Sequence, residues 1–148
     1  MKPVCLVLGA GAGIGGTVAT KFAQEGYHSS LCRRSDKEGL DRLVKNIEDQ
    51  GGSANGYIMN AIEDNAIEEV INSIESDIGP IEVIVYNLGA QTGMKLLEQT
   101  SHKEFEWGWR MASFGLFRTA KVLCPLMIER GKGTFLVTSA TAAMRGNR

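Results

Sequence analysis

Short apolar runs alternate with apolar residues at helical spacing along most of the chain. Val4–Leu8 is apolar at every position, the pattern of a strand covered on both faces. Ile14, Val18 and Phe22 then recur at helical spacing, and Gly26 follows as a stop. Residues 28–32 form a second strand candidate. Ser35 and Glu38 stand as a capping box ahead of Leu40, Leu43, Val44 and Ile47, which share one helical face that Gly51 and Gly52 close. Residues 54–59 read as a third strand, weakened by Asn55 and Gly56. Ile67, Ile71, Ile74 and Ile78 make the next helical stripe, ended by Gly79 and Pro80, and residues 81–86 make a fourth strand. Ser101 and Glu104 form a second capping box. It opens a helix running to about Arg130, with a kink expected at Pro125 near its end. Residues 134–138 close the series as a fifth strand.

The order β-α-β-α-β-α-β-α-β predicts an α/β fold, a doubly wound and mostly parallel sheet with helices on both faces and right-handed crossovers. Neither an internal repeat nor a domain boundary interrupts it, so one domain over residues 1–148 is expected.

Five glycines fall between Gly9 and Gly16, directly after the first strand. They carry an entropic cost in any folded state. In an open α/β sheet, ligands bind beyond the carboxyl ends of the strands, and a bare turn leading into a helix lets the backbone approach a pyrophosphate. Two registers compete. Gly11-x-Gly13-x-x-Gly16 has the dinucleotide spacing but begins two residues after the strand ends. Gly9-x-x-x-Gly13-Ile14-Gly15 puts its first glycine directly after Leu8 and is preferred. The bland alternative is a flexible loop without a ligand, which the strand–turn–helix context disfavours.

The end of the second strand sets the expected cofactor. An acid there would hold a ribose 2′-hydroxyl, whereas arginine suits a 2′-phosphate. The sequence runs Cys32-Arg33-Arg34-Ser35, with no acid before Asp36, so NADP(H) is expected ahead of NAD(H). Two solvated surface arginines are the competing reading.

Composition narrows the rest. The 148 residues carry a net charge of −1 and no basic field, which argues against nucleic acid as a partner. No apolar run looks long enough to span a membrane, and the N-terminal segment lacks a signal-peptide core, so a cytoplasmic protein is expected. Cys5, Cys32 and Cys124 are odd in number and lack Cys-x-x-Cys spacing, which fits reduced core thiols. His28 and His102 are isolated, without metal-ligand spacing. Phe105, Trp107, Trp109, Phe114 and Phe117 are expected to be packing residues, and Met94 a packing residue of the 90–99 loop. Residues 105–130 offer a helical surface through which a homo-oligomer could form.

In order and spacing, these motifs resemble the short-chain dehydrogenase/reductase family over essentially the whole chain, which implies a Rossmann-type sheet. Gly9 to Gly15 looks like its Thr-Gly-x-x-x-Gly-Ile-Gly, with Leu8 in place of the threonine. Tyr86-Asn87-Leu88-Gly89 looks like its Asn-Asn-Ala-Gly, matching at Asn87 and Gly89. Asn60 stands where the family has an aspartate beside the adenine, and Ser139 where it has the catalytic serine after the fifth strand. The resemblance thus implies Gly9, Gly11, Gly13, Ile14, Gly15, Arg33, Arg34, Asn60, Asn87 and Gly89 as cofactor residues and Ser139 as catalytic. It also implies an NADP(H)-dependent oxidoreductase that reduces a small carbonyl or oxidises a small alcohol substrate.

Two departures bear on chemistry. Ala112 stands where the family has its active asparagine, in the pattern Ala112-x-x-Gly115-x-Phe117. The family's Tyr-x-x-x-Lys segment, its acid/base pair, does not occur between Ser139 and Arg148. A fragment, a short isoform or a truncated gene model is therefore expected, with a sheet incomplete on its C-terminal side and a chain inactive by itself. If such a chain were active, Tyr86 would be the first residue to examine as the acid. The alternatives are a non-catalytic dinucleotide-binding module and, less favoured, the nucleotide domain of another enzyme type.

Overall fold

The computed structural model describes residues 2–89 and 95–145. Its elements are β1 (Val4–Leu8), α1 (Ile14–Gln24), β2 (His28–Arg33), α2 (Lys37–Asp49), β3 (Ser53–Ile58), α3 (Ala66–Asp77), β4 (Ile81–Tyr86), α4 (His102–Trp109), α5 (Gly115–Arg130), β5 (Thr134–Val137) and the short α6 (Ala142–Arg145). A 3₁₀ turn covers Leu97–Gln99, and a π-helical turn, Arg110–Phe114, joins α4 to α5. The strands form one parallel sheet in the order β3-β2-β1-β4-β5. Strand order thus reverses between β1 and β4, as the alternating pattern predicts for a doubly wound fold.

β1 explains why its five residues are all apolar. Val4, Leu6 and Leu8 face a core shared with Ile67, Ile71 and Ile74 of α3 and Leu123 and Met127 of α5. Cys5 and Val7 face the opposite core, with Ala19 and Ala23 of α1 and Leu40 and Ile47 of α2. β4 divides the same way, Ile84 and Tyr86 against Val83 and Val85. Ile81 keeps the face of Ile84 because the register shifts between Val4 and Cys5, leaving Glu82 without a partner in β1. Burial raises the Cys5 thiol to about 12 and pushes Cys32 up as well, so both are inert core residues.

Several expectations need correction. Ser35 and Glu38 do not form a capping box. Asp36 is the N-cap of α2, in a left-handed conformation (φ 62°), and its Oδ1 accepts from Gly39 N–H at 2.9 Å. The second box does form: Ser101 Oγ accepts from Glu104 N–H (3.2 Å), and Glu104 Oε2 from Ser101 N–H (3.0 Å). Lys95, with the Ser101 N–H and hydroxyl that both donate to the carboxylate, holds the Glu104 carboxyl down to about 2. The helical stripe of α1 begins one turn late, since Ile14 is 61% exposed while Val18 and Phe22 pack on the core. The long helix runs through Pro125 to Arg130; its departure from α geometry lies at Arg110–Phe114 instead. Of the aromatics expected to pack, Trp107 and Phe114 are half-buried, whereas Phe105, Trp109 and Phe117 lie exposed on this helix (69%, 48% and 59%), with Trp109, Phe114 and Phe117 stacked in sequence. The stretch His102–Arg130 is also long and apolar enough to cross a bilayer by length and composition, which the lack of a long continuous apolar run does not predict. Leu123 and Met127 pack against α3 and the sheet, while 33% of its most apolar stretch is buried. Met94 lies outside the described residues.

Arg118 ties α5 to α3. It is 8% exposed; Nε and Nη2 donate to the two Glu68 carboxylate oxygens at 2.8 and 2.5 Å, and Nη1 donates to the carbonyls of Ala61 (3.2 Å) and Glu63 (3.0 Å). The guanidinium holds the Glu68 carboxyl below the ordinary glutamate range. Replacing it strands a carboxylate and two carbonyls, so Arg118→Leu is expected to destabilise the fold by about 3 kcal/mol in urea unfolding at neutral pH. The sign with pH follows from the lowered carboxyl. The pair's contribution is present above the ordinary glutamate range and is lost as pH falls through the folded value, so the variant's deficit shrinks in acid.

Candidate functional site

The carboxyl ends of β1, β2 and β4 meet at the reversal of strand order, and the glycine turn sits there. Gly9 leaves β1 at φ 93°, and a Cβ built on it would lie 2.6 Å from the Asn87 carbonyl oxygen. Asn87 N–H donates to Leu8 O at 2.9 Å, and its side-chain Nδ2 donates to Gly9 O at 2.9 Å. Gly9 and Ala10 N–H both donate to Cys32 O, at 3.1 and 2.9 Å. A Cβ on Gly15 would fall 2.1 Å from Gly9 O, so the first turn of α1 lies directly on the end of β1. These contacts place Gly9 and Gly15 tightly at the strand end. Gly16 of the competing register is tight as well, its Cβ position 2.5 Å from Gly11 O.

Gly11 and Gly13 differ from the others: a Cβ on either meets nothing within 4 Å. Here bareness clears space beside the backbone. No backbone carbonyl of a described residue accepts from the N–H of Ala12, Gly13, Ile14 or Gly15, whereas Gly16 and Thr17 donate back to Gly11 and Gly13. The turn therefore presents a set of free donors at the positive end of α1, a cradle for an anion.

A cavity of about 530 Å³ along α2 touches it through Ala12, with Arg33, Asp36 and Gly39 in its wall, and two more lie at the strand ends. The first of these two, about 320 Å³, is lined by Gly9, Gly11, Arg33, Arg34, Ser35 and Asp36. The second, about 450 Å³, lies at the ends of β4 and β5 and is lined by Asn87, Leu88, Gly89, Ala112, Thr138 and Ser139, with Ala140 at its edge. The Asn87–Gly9 hydrogen bond joins their walls. Thr138 N–H donates to Tyr86 O at 3.0 Å, which sets Ser139 one residue past the sheet.

The structure thus gathers Gly9, Gly11, Arg33 and Arg34 in one cavity and Asn87, Gly89 and Ser139 in the next, with Gly13, Ile14 and Gly15 opening α1. Asn60 lines neither. It follows β3, its Nδ2 donates to Glu63 Oε1 (3.0 Å), and its Oδ1 is buried without a partner among the described residues. Arg33 is not a free cation, because its Nη1 pairs with Asp36 Oδ2 at 3.1 Å. Arg34 is exposed and pairs with no acid among the described residues. Tyr86 does not fit the part of an acid at Ser139. It is 1% exposed, its phenol donates to Met111 O, and desolvation raises it to about 12, partly offset by Arg118. Gly115 makes room for that phenol, since a Cβ there would lie 2.3 Å from it. The tie anchors the π turn that carries Ala112 to the second cavity.

Two lining residues escaped the sequence reading. Thr138 carried no signal beyond adjacency to Ser139. Asp36 stood three residues from Arg33, the spacing of a local ion pair, and that charge pattern could have exposed it.

The model of the family described as short chain dehydrogenase matches residues 3–148. The 3-oxoacyl-[acyl-carrier-protein] reductase FabG of Thermotoga maritima is 31% identical over 144 residues, 97% of this chain and 58% of that protein. The 2,3-dihydro-2,3-dihydroxybenzoate dehydrogenase of Bacillus subtilis is 26% identical over 95% of this chain and 53% of its own length. Among solved structures, NAD+-bound xylitol dehydrogenase superposes with a TM-score of 0.89 at 26% identity, covering 98% of this chain and 55% of that one. The chain spans little more than half the length of these relatives.

The two kinds of glycine separate experimentally. Gly13→Val is expected to leave the helical circular dichroism signal largely intact and to abolish nucleotide binding, because its side chain enters open space. Gly15→Ala is expected to lower stability itself, by about 2 kcal/mol or more in urea unfolding, because its methyl meets backbone. Unchanged nucleotide affinity in Gly13→Val would reduce the turn to a structural loop.

Proposed function

Because this chain belongs to the short-chain dehydrogenase/reductase family, whose members bind NAD(P), we propose that it holds the cofactor of an NADP(H)-dependent oxidoreductase that reduces a carbonyl or oxidises an alcohol. One observation carries the cofactor preference: Arg33 and Arg34 share a cavity with Gly9 and Gly11 of the turn. The donors of residues 12–15 fit a pyrophosphate, and the two guanidinium groups fit a phosphate on the adenosine ribose beside it. Asn60, with an unsatisfied buried oxygen at the end of β3, fits the adenine amino group. The second cavity, bounded by Asn87, Gly89 and Ser139, then takes the nicotinamide end. When bound, the nicotinamide supplies or accepts the hydride.

Ser139 has a hydroxyl in that cavity and can donate to a substrate oxygen as it gains negative charge. A proton donor to accompany it is lacking among the described residues of the cavity. Ala112 presents a methyl where the family has an amide, and Tyr86 is turned inward to Met111. These two residues favour a second reading, a dinucleotide-binding module without catalysis of its own. The exposed aromatic side of α4 and α5, with Phe105, Trp109 and Phe117, supports association with a second copy of the chain.

NADPH is expected to bind at least several-fold more tightly than NADH in a fluorescence titration, and Arg33→Asp to reverse the order. Equal affinities would remove the case for a 2′-phosphate. The 148-residue chain is expected to consume no NADPH above background with a panel of carbonyl compounds. General acid–base assistance alone contributes about 10²–10⁴-fold and finds no donor among the described residues of the cavity. Robust turnover abolished by Ser139→Ala would overturn that expectation.

A further inference from the structure

The first cavity contains an acid as well as two cations. Asp36 is held there by three features that do not depend on a ligand. Its backbone sits at φ 62°, a conformation uncommon outside glycine and best tolerated by Asn and Asp. Its Oδ1 caps Gly39 N–H, which leaves Oδ2 to meet Arg33 Nη1 at 3.1 Å. Gly39, inside the first turn of α2, has no side chain to obstruct them; a Cβ there would lie 2.2 Å from Asp36 Oδ2 and 2.5 Å from Arg33 Nη1. A glycine in a helix costs about 1 kcal/mol against alanine, and here it clears the seat of this ion pair. The Arg33 side chain is 18% exposed and that of Asp36 51%, so the guanidinium is shielded while the carboxylate stays open to an incoming ligand.

We propose that Asp36 sets the strength of the 2′-phosphate preference by competing with that phosphate for Arg33. This rests on the reading of the Arg33–Arg34 cavity given above. A phosphate dianion entering the cavity meets the Asp36 carboxylate, which already occupies one guanidinium donor and offsets its charge. Arg34 is left as the cation without an acid partner among the described residues. A ligand ending in a 2′-hydroxyl brings no charge to oppose Asp36 and leaves the pair in place. Asp36 therefore narrows the gap between the two cofactors and lets one cavity accept either.

Calorimetric titration with adenosine 2′,5′-bisphosphate and adenosine 5′-monophosphate tests this on the intact chain. Asp36→Asn keeps the left-handed backbone and the cap while removing the charge; Asp36→Gly removes the charge with no backbone strain. Both are expected to bind the bisphosphate about threefold to tenfold more tightly, with monophosphate affinity changed less than twofold. Retained monophosphate binding shows that the variants are folded. In an Arg33→Ala background the gain is expected to shrink. An unchanged or smaller bisphosphate-to-monophosphate ratio in both Asp36 variants overturns the proposal while leaving the 2′-phosphate reading intact. So does a gain that persists undiminished without Arg33, since Asp36 would then act by repulsion alone. If the unaltered chain and Arg33→Ala both bind the two nucleotides equally, the 2′-phosphate reading falls and the proposal with it.

Discussion

The approach of three backbone segments at the end of β1 governs the geometry of the whole site. The carbonyl of Gly9, the first turn of α1 at Gly15 and the main chain of Asn87 occupy a space that admits no side chain. Asn87 Nδ2 satisfies the Gly9 carbonyl at 2.9 Å, so the contact is polar and directional as well as close. It fixes where α1 begins, and so where the free N–H groups of residues 12–15 point. It also joins the wall of the cavity under β2 to that of the cavity beyond β4. A larger residue at Gly9 or Gly15 would separate the two halves by pushing α1 off the sheet.

The same device recurs farther out. Gly115 lets the Tyr86 phenol reach Met111 O, and Gly39 lets Asp36 reach Arg33. Each glycine gives up helix propensity in exchange for a polar contact that positions a cavity residue. Tyr86 is a departure from the family pattern that acquires a structural explanation here. Its ring fills the core beside Ile84 and Leu8, and its hydroxyl anchors the irregular turn bearing Ala112. Sited there, it stabilises a helix junction and is unavailable for proton transfer.

The fold was legible because its signals are periodic and redundant. The all-apolar β1, the isoleucine stripe of α3 and the Ser101–Glu104 box each require one local structure, and β1 is buried on both faces as its pattern demands. Elsewhere, local pattern and tertiary environment diverged. Ile14 fits the α1 stripe but sits at the helix's open end, where nothing covers it. The aromatics of α4 and α5 are expected to pack, yet Phe105, Trp109 and Phe117 stand exposed while Trp107 and Phe114 are half-buried. Ser35 and Glu38 had the box spacing, but Asp36, one residue later, capped α2 with a carboxylate. Of the candidate site, the glycines and arginines were readable from their place in the strand–turn–helix order. The Arg33–Asp36 pair was not, because it depends on a left-handed residue and on an absent side chain in the next helix.

This division has a physical basis that bears on what the chain can do. Donors for a pyrophosphate come from backbone N–H groups, which every residue type supplies; the sequence need only stay out of the way, and glycine does that legibly. Recognition of a ribose substituent, and proton transfer at a substrate, need particular side chains in particular orientations. Two departures from the family pattern fall where side chains matter, Ala112 at the second cavity and Tyr86 inside the core, and Asp36 adds a carboxylate beside Arg33. Leu8, in place of the family's threonine before Gly9, is buried in the core, and the N–H groups of residues 12–15 stay free of backbone acceptors among the described residues. The cradle and the chemistry can therefore diverge independently, and binding of the adenosine end should survive changes that silence the second cavity. That independence is what makes a nucleotide-binding chain without turnover of its own a physically coherent alternative to an enzyme.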